Sequence, residues 1–145
     1  MECIFDEYKI SDDKSLLSID RICEFLARSY WAKERSSETI EMTIKNSICY
    51  GIYRNGEQIG FARAVTDRAT MYWLADVFID EKYRGQGLGK KLIQCIVESE
   101  ELKKLVGILG TNDAHGLYEQ YGFTKDPDRF MRRIPDKERK IIKKE

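Results

Sequence analysis

A glycine-rich segment, residues 83–92 with the sequence YRGQGLGKKL, is the part of the chain best suited to holding a ligand. Its three glycines alternate with other residues, and a hydrophobic run precedes them while an amphipathic run follows. Such a cluster indicates a turn in which the backbone approaches something closely. At a helix start, unpaired backbone N–H groups favour negative charge, and Arg84, Lys90 and Lys91 add positive charge. The segment therefore predicts a phosphate or pyrophosphate site.

Two common phosphate-binding patterns do not fit this segment. The Walker A pattern G-x-x-x-x-G-K-[ST] meets Arg84 at its first glycine and Lys91 at its Ser/Thr position. The dinucleotide pattern G-x-G-x-x-G ends on Lys90 or on Leu92, depending on the glycine from which it starts. Neither an ATPase nor a nicotinamide-dependent enzyme is supported, and a glycine-rich turn without a ligand is the remaining alternative.

Two segments resemble motifs of the GCN5-related N-acetyltransferase (GNAT) family. Residues 84–89 (RGQGLG) match [QR]-x-x-G-x-[GA], the acyl-CoA pyrophosphate loop, and residues 114–123 (AHGLYEQYGF) are similar to A-x-x-L-Y-x-x-x-G-F. The close resemblance covers residues 48–133, whereas the first 47 residues fit only through their strand–helix–helix order. It implies an N-acetyltransferase that moves an acetyl group from acetyl-CoA directly to a primary amine in a ternary complex, without a metal.

The resemblance also implies where acetyl-CoA lies. The pantetheine arm inserts like an extra strand between the fourth and fifth predicted strands, and the pyrophosphate takes amides of the glycine loop. Many members have an Asn seven residues before the motif tyrosine; here that position is Thr111, and Asn112 follows it. The implied cofactor-binding residues are Val77, Phe78, Ile79, Arg84, Gly85, Gln86, Gly87, Leu88, Gly89, Lys90 and Asn112.

Two residues are candidates for the chemistry. Tyr118 resembles the general acid of the family, since a phenol can protonate the departing thiolate; a packed aromatic on an amphipathic helix is the alternative. Asp76 falls where some members carry an acidic residue that acts as a base through water, although other members have Glu one position earlier, where Ala75 stands. Burying a carboxylate unpaired beside Leu74 and Phe78 costs several kcal/mol, so a carboxylate bonded to its neighbours is equally expected. A backbone N–H of this strand would polarise the acetyl carbonyl.

The acceptor is expected to enter opposite the CoA, near the first helices and the middle strands. Tyr30 and Trp31 end the first predicted helix beside a polar loop, and they either wall a pocket or pack in the core. Arg63 is a candidate for reading a charged end of the substrate. A metal site is not expected, because His115 is the only histidine and the four cysteines are scattered.

Hydrophobic periodicity predicts the elements that position these residues. Asn55-Gly56 between two alternating runs is a strong hairpin signal. The expected fold is α/β (α+β): a mixed, mainly antiparallel central sheet with parallel strands 4 and 5 and helices on both faces. The family resemblance implies that strands 4 and 5 are splayed apart. One face of strand 4 would carry Tyr72, Leu74, Asp76 and Phe78. The predicted order is strand 2–10, helix 18–30, helix 36–47, strands 48–54, 58–66 and 71–80, helix 88–99, strand 104–110, helix 114–122 and strand 130–134.

Composition limits the class of protein. The 145 residues carry 25 basic and 25 acidic side chains, so no overall charge draws the chain to nucleic acid or membrane. We expect one domain over residues 1–136, a charged tail over 137–145, a cytoplasmic location and free thiols. The expected partner is a small-molecule or peptide amine, and a homodimer is possible. The alternative functions are a catalytically inactive CoA-binding sensor or regulatory module, and a plain anion-binding module.

Overall fold

The computed structural model describes residues 1–136, so the predicted charged tail at 137–145 lies outside the described residues. These residues form one sheet with strand order β1-β2-β3-β4-β5-β6. The strands are β1 (Glu2–Phe5), β2 (Tyr8–Ser11), β3 (Ile48–Arg54), β4 (Glu57–Thr66), β5 (Met71–Ile79) and β6 (Val106–Ile108). The helices are α1 (Ile19–Ala27), α2 (Ser37–Lys45), α3 (Leu88–Val97) and α4 (His115–Glu119).

Neighbouring strands are antiparallel except for the parallel pair β5–β6, which confirms the predicted mixed sheet. The β5–β6 ladder runs only from Met71↔Val106 to Trp73↔Ile108. Strand β5 continues to Ile79, so its edge from Leu74 onward has no ladder partner on the β6 side among the described residues. The end of this ladder agrees with the splay that the family resemblance implied.

Helices cover both faces of the sheet. Serine N-caps start α1 and α2, with Ser18 and Ser36 accepting backbone N–H bonds from the residues three positions on. The buried face of α1 and α2 packs with Phe61 and Phe78 on one side of the sheet. On the other side, α3 packs on a larger cluster that includes Leu74. The two apolar clusters enclose β4 and β5, which are therefore buried on both faces.

A β-bulge in β5 changes which face its residues occupy. Arg63 pairs with Ala75 and Phe61 pairs with Phe78, so one residue of β4 stands opposite Asp76 and Val77 of β5. Asp76 has a φ of +55°, which Asp tolerates better than most residues. The predicted single face is therefore wrong: Tyr72 and Leu74, before the bulge, belong to the α3 side, and Phe78, after it, belongs to the side of α1 and α2.

Three other sequence predictions need correction. The first strand is a hairpin of β1 and β2, because Asp6 has a φ of +48° and turns the chain. Helix α1 ends at Ala27 rather than residue 30, because the Ser29 hydroxyl donates to Leu26 O and accepts from Ala32 N–H in a new turn. Residues 130–134 form no strand; Phe130 instead stacks on Trp73, with ring centroids 6.1 Å apart.

Candidate active site

The glycine loop leads into the N-terminus of α3, as the sequence predicted. Gly87 is the N-cap and has a φ of +81°, a left-handed conformation that disfavours side chains. The Lys91 N–H donates to Gly87 O, so the amides of the three preceding helix residues lack helical acceptors. A Cβ added at Gly87 would meet no heavy atom within 4 Å. The loop therefore presents free donors to open space, as an anion site requires.

Side chains of the loop hold its shape rather than extend into that space. Gln86 accepts a hydrogen bond from the Tyr8 hydroxyl at 2.9 Å, which ties the loop to β2. Arg84 turns back to β5, where its Nε donates to Ile79 O at 2.8 Å and its guanidinium lies 4.9 Å from the Phe78 ring centroid. Of the three positively charged residues predicted near the ligand, Arg84 and Lys90 are exposed, and Lys91 is half-buried with its Nζ 5.6 Å from the Phe5 ring centroid.

The open edge of β5 is anchored at its C-terminal end. Val77 and Ile79 pack against the cluster on the α3 side, whereas the Phe78 ring stacks on Phe25 of α1 at 5.3 Å. Asp80 is 5% exposed and accepts from Arg21 Nη2 at 2.9 Å. This buried ion pair fixes α1 against the end of β5, just before the glycine loop.

Asp76 lies at the centre of a cluster of donors. Its carboxylate accepts from Trp31 Nε1 at 2.9 Å, from Arg35 Nη1 at 2.8 Å and from Arg63 Nε at 2.6 Å. The residue is only 6% exposed. The structure therefore brings Trp31, Arg63 and Asp76 together, three residues that the sequence put forward separately for substrate binding and catalysis.

The cluster holds Asp76 as an anion. Burial raises the pKa of its carboxyl group, but the hydrogen bond and charge of Arg63, the charge of Arg35 and the bond from Trp31 outweigh burial, so the pKa falls below its ordinary value. A carboxylate so stabilised is a weaker base. The arrangement favours the alternative in which Asp76 is bonded to neighbouring side chains, because the bulge turns it toward the α1–α2 loop.

Tyr118 is buried on α4 and lies near Tyr30. Its ring meets Phe123 edge-on at 6.0 Å, and the residue is 9% exposed. Burial, with smaller contributions from Tyr30 and Asp113, raises the pKa of Tyr118 to about 12. The phenol therefore stays protonated throughout the physiological range and is available as a donor.

Tyr30 and Asn112 face each other across the splay. The Asn112 N–H donates to the Tyr30 hydroxyl at 3.1 Å, and Tyr30 lies edge-on to Trp31 at 5.0 Å. Tyr30 is 50% exposed, so it is not the core residue that the sequence left as an alternative. The Thr111 hydroxyl, at the position of the family's Asn, accepts from the N–H groups of Asp113 and Ala114 and so shapes the start of α4.

Sequence reasoning missed four residues of this site: Tyr8, Arg21, Arg35 and Asp80. Each acts through a partner distant along the chain, such as Arg35 with Asp76, 41 positions away. Their local signals are weak, since arginines in polar segments usually face solvent. Asp80 was the exception, because an Asp directly after a buried strand and before a turn is a typical cap.

Two cavities lie beside these residues. One of about 1080 Å³ includes Tyr118 in its lining but otherwise extends along β6, α4 and residues 122–130, away from the glycine loop. The other, of about 510 Å³, is a groove between α2 and β4 with Arg63 and Ser47 in its lining. Residues 1–136 hold no group of three or more His, Cys, Asp or Glu side chains placed to bind a metal. No helix in this range has the length and apolar content needed to cross a membrane.

Comparisons with known proteins agree with this geometry. The family model described as an acetyltransferase (GNAT) domain matches residues 45–125. A candidate acetyltransferase from Gibberella zeae is 30% identical over 113 residues, which cover 64% of this chain and 64% of that protein, so the chain spans less than two thirds of it. A spermine/spermidine N(1)-acetyltransferase from Bacillus subtilis is 35% identical over 86 residues, covering 50% of this chain and 57% of that protein.

Solved structures show the same relationship. The crystal structure of a GNAT-family candidate acetyltransferase from Xanthomonas campestris pv. campestris has a TM-score of 0.85 and 36% identity. The match covers 90% of this chain and 95% of that one. A glucosamine-6-phosphate N-acetyltransferase from Arabidopsis thaliana shares the fold, with a TM-score of 0.62 at 16% identity. The chain belongs to the GNAT family of acetyltransferases.

Proposed function

We propose that this protein transfers an acetyl group from acetyl-CoA to a primary amine by direct attack, in the cytoplasm. The observation that carries the proposal is the continuity of the site: the open edge of β5 runs from Leu74 to Ile79 and leads to the free amides at the start of α3. An extended pantetheine arm can pair with such an edge, and the amides are suited to its pyrophosphate.

The reacting carbonyl belongs near the bulge of β5. There the register slips between Asp76 and Val77, and the chain leaves the regular ladder with β4. A backbone N–H at this point is the donor that we propose for the acetyl oxygen, where negative charge develops as the amine attacks. Trp31 and Tyr30 wall the side from which the amine approaches, next to the cluster around Asp76.

Tyr118 is the proposed donor to the leaving sulfur. A phenol with a pKa of about 12 is a weak acid for a thiol whose pKa is near 8.5. Complete proton transfer is uphill by about 3.5 pKa units, or about 5 kcal/mol, so we assign Tyr118 a hydrogen bond to the sulfur while the C–S bond breaks. The attacking amine loses one proton to water, and the released thiolate takes one up.

Asp76 does not accept the amine proton in this proposal. Its oxygens are occupied by Trp31, Arg35 and Arg63, and it acts by positioning these side chains. The acceptor therefore reacts from the fraction that is already deprotonated, so acetyl transfer accelerates with pH until the amine is fully deprotonated.

Calorimetric binding of acetyl-CoA, ATP and NAD at matched concentrations tests the cofactor site first. Selective binding of acetyl-CoA is the expected result, and equal binding of all three would overturn the proposal in favour of a plain anion site. Release of free CoA with a panel of primary amines then tests transfer. Selective binding without CoA release from any amine would identify the alternative, a CoA-binding regulatory module.

A further inference from the structure

Two arginines share a single carboxylate at the acceptor side of the site. Arg35 and Arg63 form ion pairs with Asp76 and, within residues 1–136, with no other acidic group. In other ion pairs the arginine has a carboxylate of its own, such as Glu81 for Arg28. The cluster therefore carries one positive charge in excess.

The excess charge lies where water does not screen it well. The side chains of Arg35 and Arg63 are 22% and 12% exposed. A guanidinium offers five N–H donors; within residues 1–136, Arg35 uses one of them, for Asp76, and Arg63 uses two, for Asp76 and Ser47. Half-buried guanidinium groups with spare donors are well suited to bind an oxyanion in bidentate geometry.

The same cluster faces the space for the acceptor. Trp31 donates a hydrogen bond to Asp76, and its ring centroid lies 6.5 Å from that of Phe78, the residue that follows the bulge. Arg63 also lines the groove of about 510 Å³ between α2 and β4, a volume in the range of small-molecule sites. Glu38 is part of this groove but forms no ion pair with Arg63 or Arg35 in the described structure.

We propose that the acceptor amine carries an anionic group, a carboxylate or a phosphate, which binds Arg35 and Arg63 while its amine points toward the bulge of β5. This inference rests on the proposed acetyl transfer and narrows its substrate class. It also separates this chain from the spermine/spermidine N(1)-acetyltransferase that it resembles over half its length. A polyamine would bring positive charge to an already positive cluster, which like-charge repulsion opposes.

Matched pairs of acceptors test the proposal by CoA release at saturating acetyl-CoA. One pair is an α-amino acid and its carboxamide, compared across the common amino acids, and the other is glucosamine 6-phosphate and glucosamine; spermidine is the cationic probe. The expected result is that the anionic member of at least one pair has a kcat/KM at least about tenfold higher. The pair that responds distinguishes carboxylate from phosphate. Preference for spermidine or for both neutral members would overturn the inference while leaving acetyl transfer intact.

Variants locate the effect at the cluster. Arg35→Gln should raise KM for the preferred anionic acceptor at least about tenfold and narrow the difference in kcat/KM between that acceptor and its neutral partner, with acetyl-CoA affinity little changed. Arg35→Lys should restore part of the loss, because it keeps the charge but not the fork of donors. Arg68→Gln, which removes an exposed partner of Glu101 at the β4–β5 turn, is the matched control and should leave KM unchanged. An equal KM in Arg35→Gln and wild type contradicts the inference.

A binding readout keeps the inference separate from catalysis. In the CoA-bound Trp73→Phe variant, where Trp31 is the remaining tryptophan, fluorescence should respond to the same anionic compounds and not to their neutral partners. If no amine is acetylated but this difference appears and is lost in Arg35→Gln, the anion site stands and the transfer proposal fails. If no compound in the panel binds, the anion site itself is refuted.

Discussion

The backbone N–H of Asn112 donates to the Tyr30 hydroxyl at 3.1 Å, although the two residues are 82 positions apart. This hydrogen bond joins the loop after α1 to the loop after β6, so it bridges the two sides of the splay. Tyr118 lies close enough for the charge of Tyr30 to affect its pKa. The bridge therefore links the aromatic wall of the acceptor side to the helix that carries the proposed donor.

Replacing Tyr30 with Phe should open this bridge while keeping the ring against Trp31. The net value of one such hydrogen bond is about 1 kcal/mol, or about a fivefold change in an equilibrium. We expect hydrogen exchange at the Asn112 amide to accelerate by up to about that factor and KM for the amine to rise severalfold. Unchanged exchange at Asn112 would mean that the bond does not hold the loop in solution.

The variant Gly87→Ala tests whether the glycine loop binds the pyrophosphate of acetyl-CoA. The φ of +81° costs a residue with a Cβ about 1–2 kcal/mol, and relief of this strain should displace the amides at the start of α3. We expect acetyl-CoA to bind at least about tenfold more weakly by calorimetry, since charge-assisted hydrogen bonds are worth about 1.5–3 kcal/mol each.

Gly56→Ala is the matched control for that strain. Gly56 has a φ of +79° in the β3–β4 turn, and an added Cβ would likewise meet nothing within 4 Å. Both variants should lose a similar amount of stability, whereas only Gly87→Ala should lose acetyl-CoA affinity. Equal affinity in the two variants would place the pyrophosphate elsewhere.

Local patterns predicted the parts of the fold that depend on short-range sequence. The hairpin at Asn55-Gly56 and the strand–loop–helix around Gly87 each follow from neighbouring residues, and the structure confirms them. Such features need no knowledge of distant contacts.

The parts that sequence reasoning missed depend on distant contacts. Strict alternation placed Asp76 beside Leu74, but the bulge in β5 is a property of its pairing with β4 and left no local sign. The partners of Asp76 include Arg35, which lies 41 positions before it in the sequence, and Arg63 on the neighbouring strand β4. Whether a buried carboxylate is a base or an anchor follows from such partners, which the strand's own residues do not reveal.

The variant Asp76→Asn tests whether Asp76 positions its neighbouring side chains or acts as the general base. Asn tolerates the φ of +55° and keeps the shape, but it leaves Arg35 and Arg63 without their counter-charge. Breaking such a buried pair typically costs about 3–5 kcal/mol, so we expect a clear fall in Tm with kcat reduced less than about tenfold. A loss of kcat by orders of magnitude at unchanged Tm would instead identify Asp76 as the base.

The pH dependence of the unfolding free energy gives a second test of whether ionised Asp76 stabilises the fold. Its pKa is lower in the folded protein than its ordinary value of 3.8, so ionised Asp76 stabilises the fold above that pH. The contribution is lost as the pH falls below about 4 and through the folded-state pKa. The difference in unfolding free energy between wild type and Asp76→Asn should therefore be constant near neutrality and shrink in acid; a difference that is independent of pH would exclude this role.

Tyr118→Phe tests the proposed donor to sulfur. We expect kcat to fall by about 10- to 100-fold, because a hydrogen bond to a charged group is worth about 1.5–3 kcal/mol, with little change in acetyl-CoA affinity. Tyr121→Phe, on the same segment, is the control and should retain kcat. Because the pKa of Tyr118 is about 12, the wild-type rate should rise with pH to a plateau set by the amine, without a falling limb below about pH 10. A falling limb between about pH 8 and 10 that disappears in Tyr118→Phe would show a much more acidic phenol, for which complete proton transfer to sulfur is no longer strongly uphill.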